Sequence, residues 1–79
     1  GGVMDEAVTE AVDTAKDKLL KATRLLDDAV CDLREYGAVK IDPEDPYSID
    51  IDDVRDFIFD ALSEADYAVV ALGKFKGGK

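Results

Sequence analysis

Apolar residues recur along the first half of the chain at alternating steps of four and three. Val8, Val12, Ala15, Leu19, Ala22, Leu26, Ala29, Leu33 and Tyr36 form one row, with no Pro or Gly between residues 4 and 36. That period holds the row on one side of an α-helix and predicts helix 1 over 4–36. Asp5 is the expected N-cap, with Glu6 in the first turn. Gly37 suits a left-handed stop, with Ala38 and Val39 as the apolar contact that follows. A second row, Ile51, Val54, Ile58, Ala61, Ala65, Ala68, Leu72 and Phe75, predicts helix 2 over 50–73. Asp50 reads as its N-cap and Asp53 as the capping-box acid, with Ile49 and Val54 as a hydrophobic staple.

Between the helices lies a connector, residues 37–49, where Pro43 and Pro46 prevent either helix from continuing. Val39–Ile41 alternates and suits a brief extended piece. Residues 74–79 form a basic Gly/Lys tail favourable at the negative end of the second helix dipole. Gly1, Gly2 and Val3 read as a cloning scar or a processed N-terminus. At 79 residues the chain has room for one domain. The expected fold is all-α: an antiparallel hairpin of two long helices.

Six of the seventeen positions in the two rows are Ala, which lets the helices approach closely. One row per helix leaves large apolar side chains unused. Leu20, Leu25 and Val30 lie off the first row, and Phe57, Phe59, Leu62, Val69 and Val70 lie off the second. Each contributes about 1.5–3 kcal/mol when buried, so leaving all of them in water forfeits most of a small domain's stability. These eight residues are the expected oligomer interface, most simply of a dimer that forms a four-helix bundle or coiled coil. Two alternatives remain: a break near Thr23 giving a three-helix monomer, or association with a different chain.

Composition narrows the chemistry. There is no His and a single Cys, which removes triads, classical zinc sites, haem ligation and an internal disulfide. The net charge of −9 disfavours nucleic acid and anionic membrane as partners. The longest apolar run, residues 67–72, is far too short to span a bilayer, and no targeting segment is visible. A cytoplasmic location is the expectation. No cofactor and no enzyme activity are expected.

Residues 42–66 hold ten acids and one base, Arg55, so this window carries the whole net charge. Asp53, Asp56, Asp60 and Glu64 share a helical face. A solvated polar face is the first reading, a docking surface for a basic protein partner the second, and a divalent-cation site the third. Counted from Asp42, the EF-hand pattern fails at Pro46 and Tyr47. Asp53-x-x-Asp56 is the nearest approach to the paired Glu-x-x-Glu signature of all-helical nucleotide pyrophosphatases. Cys31 reads as a small hydrophobe in a helix. Pro43 to Pro46 has the spacing of an SH3 ligand without a flanking Arg, and reads better as a helix-breaking turn.

Pro43-Glu-Asp-Pro46 also resembles the turn of type III secretion needle subunits, which are helical hairpins of about this length. The resemblance implies a hairpin that polymerises. It covers those four residues and the layout, while the aromatic N-terminal and Asn-rich C-terminal segments of those subunits are absent. The functional expectation is therefore a non-catalytic, self-associating structural or protein–protein interaction module. The alternatives are a needle-like filament subunit and an acidic inhibitor or mimic that docks on a basic partner.

Overall fold

A computed structural model describes residues 3–76, with side chains from residue 6. Helix α1 runs Val3–Leu33 without a break, so Thr23 does not divide it and the three-helix alternative falls. The Thr23 hydroxyl instead donates to the Leu20 carbonyl at 2.9 Å, one turn back. Helix α2 runs Ile51–Gly73 and returns antiparallel to α1, giving an all-α hairpin of two helices. No strand occurs among the described residues.

The start of α1 lies before the expected one. Val3 is already helical, which places Asp5 inside the helix rather than at its cap. The reading of residues 1–3 as a scar or processed end otherwise lies outside the described residues, as do residues 77–79 of the tail. At its other end α1 tightens into a 3-10 turn over Arg34–Tyr36. Gly37 follows with φ −52° and ψ −38°, a right-handed conformation open to any residue, so the expected left-handed stop is not formed. Its role is one of space. A Cβ here would overlap the Asp52 carboxylate, with the Asp52 Cγ 2.7 Å away. The Gly37 carbonyl accepts the Asp52 amide at 2.9 Å, tying the end of α1 to the start of α2.

The connector is ordered by a repeated Asp-Pro unit. Pro at the second position of a turn presets φ, and Asp at the first supplies a side-chain acceptor for the amide two residues on. Asp42 accepts the Glu44 amide on its carboxylate at 3.1 Å and the Asp45 amide on its carbonyl at 3.1 Å. Asp45 does the same for Tyr47 at 2.9 Å and Ser48 at 3.0 Å. Two turns in succession reverse the chain. Ile41 donates to the Ile49 carbonyl and Ile51 to the Val39 carbonyl, both at 2.9 Å, around an antiparallel bridge of Lys40 with Asp50. The extended piece expected at Val39–Ile41 is this bridge. Asp50 then caps α2 in a reciprocal box. Its carboxylate accepts the Asp53 amide at 3.0 Å, and the Asp53 carboxylate accepts the Asp50 amide at 3.0 Å.

The hairpin is long and thin, measuring 59 × 21 × 15 Å. Its radius of gyration is 18.1 Å, against about 12 Å for a compact domain of this length. Val30, 6% exposed, is the one buried hydrophobic residue among those described.

Candidate functional site

The row spacing gives every helical residue a heptad letter. With Leu19, Leu26, Ile51 and Ile58 at position a, position d falls on Val8, Ala15, Ala22 and Ala29 in α1 and on Val54, Ala61 and Ala68 in α2. The flanking positions are e and g, and in an antiparallel pair the e residues of both helices share one face while the g residues share the other. The two faces have different fates. At e, Lys16, Thr23, Val30, Arg55, Leu62 and Val69 are all buried or half-buried. At g, Ala11, Lys18, Leu25, Asp32, Phe57, Glu64 and Ala71 are all exposed.

The cause lies in the alanines. A helix pair closing evenly over a and d would bury mostly methyl groups at d. Rolling each helix towards e brings in Val30, Leu62 and Val69 and removes more apolar area from water. This corrects Val30, one of the eight residues expected on an outer interface. Val30 is the most buried of the described side chains, and Leu62 and Val69 are half-buried. Ala61, assigned to the row from spacing, is exposed. The remaining five, Leu20, Leu25, Phe57, Phe59 and Val70, stay exposed. Leu25 and Phe57, at 70% and 59%, stand on the open g face. Leu20 and Phe59 border the closed e face, and Val70 lies on the outer edge of α2.

The closed face is also sealed by charge. The Arg55 guanidinium pairs with Asp52 at 3.2 Å and lies over the Phe59 ring, 6.0 Å from its centroid. Its Nε lies buried without an acceptor among the described residues. The open face carries Lys18, Asp32 and Glu64 among its seven g residues, against Lys16 and Arg55 at e.

The acidic residues divide by what they hold. Asp53 is committed to the capping box, and Asp42 and Asp45 accept turn amides. Asp56 and Asp60 are exposed on the outer edge of α2, whereas Glu64 turns on to the open face. All four of the acids expected to act together are exposed, and Asp53 is the one held in the cap. Once the chain folds back, residues 27–56 make the connector end and carry eleven acids and three bases, a charge of −8. Cys31 is exposed near that end rather than packed as a small hydrophobe.

No cleft or cavity forms among the described residues. No group of three metal-ligating side chains gathers there either. No described helix is long and apolar enough to cross a membrane. The features that the geometry does offer are an open apolar face and an acidic end. No protein-family model, no curated protein and no solved structure matches the chain.

Proposed function

We propose that this protein is a non-catalytic helical hairpin that works by associating with itself, as a structural or protein–protein interaction module. The observation that carries this reading is its surface. The hairpin exposes 6148 Å², whereas a compact monomer of 8.6 kDa exposes about 4,700 Å². The excess, on the order of 1,400 Å², is larger than the roughly 800 Å² that each partner gives to a standard stable interface. Leu20, Leu25, Phe57, Phe59 and Val70 account for part of it. Leaving them in water withholds roughly 5 kcal/mol of burial energy. A dimer that stacks two hairpins into a four-helix bundle recovers it. Sedimentation equilibrium at micromolar concentration tests the reading. A mass at least twice 8.6 kDa supports it, and a single 8.6 kDa species overturns it.

A second reading draws on the −8 connector end, where among the described residues the Glu44 and Asp56 carboxylates take no part in the turn and cap bonds that hold their neighbours. An acidic module that docks on a basic protein would use this end. Capture of a basic protein on the immobilised chain should then weaken as salt rises. Capture that is insensitive to salt removes this reading.

A further inference from the structure

We infer that the second copy seats on the open, alanine-lined face, turned end for end so that the two connectors lie at opposite ends of the assembly. This rests on the self-association proposed above and specifies its face and direction. The open face alone, among the described residues, combines exposed large apolar residues with small ones. Leu25 and Phe57 rise from it in the connector half, while Ala11, Ala68 and Ala71 lie in the far half. At 1.5 Å per residue, Phe57 sits about 9 Å along α2 and Ala68 about 26 Å. A two-fold axis crossing α2 near Ala61 exchanges those two levels. Phe57 then meets the partner's Ala68. The closest approach falls on alanines, as small residues allow.

Charge fixes the direction. Residues 27–56 carry −8, and the rest of the described side chains sum to −1 with Lys74 and Lys76 at the far end. Stacking with both connectors at one end sets −8 beside −8. It gains only two exposed Lys18–Glu64 pairs, which are weak. Stacking with connectors apart sets each acidic end beside the end that carries the lysines.

Two measurements test this. In a Cys31→Ser, Tyr47→Cys chain, nitroxide labels on the 92%-exposed position 47 report the connector-to-connector distance by double electron–electron resonance. The expected separation approaches the 59 Å length of the hairpin. A separation below about half that length would overturn the direction. Sedimentation of Ala61→Glu and Phe59→Glu tests the face. Ala61→Glu should shift the association constant at least about tenfold towards monomer, and Phe59→Glu much less. The reverse order would overturn the face. If Ala61→Glu loses its helical circular dichroism at the same concentration, Ala71→Glu, near the edge of the same face, replaces it with the same expected order. A wild-type chain that sediments as a monomer defeats the self-association reading itself. A dimer with close connectors defeats only this inference.

Discussion

The e face and the g face of this hairpin are built from the same two helices, and only one is finished. On the e face, Val30, Leu62 and Val69 close over the a residues, and the Arg55 guanidinium covers the Phe59 ring. On the g face, alanines at d leave a shallow floor from which Leu25 and Phe57 project into solvent. The difference shows how a two-helix layer spends its apolar residues. A hairpin 15 Å thick has no third layer, so rolling to cover one face uncovers the other. Side-chain size at a single heptad position decides which face is left open.

The comparison can be broken most severely at Val30. Replacing it with Asp puts an unpaired charge at the one buried position among the described residues and should cost at least about 3 kcal/mol. The equivalent change on the open face, Leu25→Asp, should leave helicity intact at concentrations where the chain is monomeric. Chemical denaturation of both at low concentration measures the contrast. Equal damage from the two would mean that the faces do not differ as described.

Smaller effects belong to the junction that fixes how the helices meet. Asp50→Ala removes one half of the capping box and should cost about 1 kcal/mol in a thermal melt. Gly37→Ala should cost less, about 0.5 kcal/mol. The Asp52 side chain can swing away from the new methyl, losing its exposed pair with Arg55. Asp60→Asn should be neutral or slightly stabilising, because Asp60 forms no ion pair or cap among the described residues and only repels its neighbours. If Asp60→Asn proves more damaging than Asp50→Ala at matched protein concentration, Asp60 has a partner that the solvated-edge account lacks.

Much of the architecture was legible in residue order. The four-and-three spacing marks both helices, Pro43 and Pro46 mark the reversal, and Asp50 with Asp53 marks the entry to α2. The misreadings share a physical origin. A heptad row states which positions are apolar, not how far each helix is rolled about its axis. Where d is Ala, positions e and g compete on equal terms, and only packing assigns Val30 inward and Ala61 outward. Gly37 was open to the same kind of error. A glycine after a helix signals either a left-handed residue or a close approach, and the approach of Asp52 decides for the second. Asp53 was legible twice, as a cap and as part of an acidic face. Its bond to the Asp50 amide favours the first role.

If the open face is completed by a second copy, association adds to the stability of the folded hairpin, and stability depends on protein concentration. Thermal melting of the wild-type chain over a hundredfold range of concentration therefore tests the account most directly. The predicted result is a midpoint that rises steadily with concentration for the wild type and is lower and less concentration-dependent for Ala61→Glu. A wild-type midpoint that stays constant across the range would contradict it, because the hairpin would then be complete as a monomer.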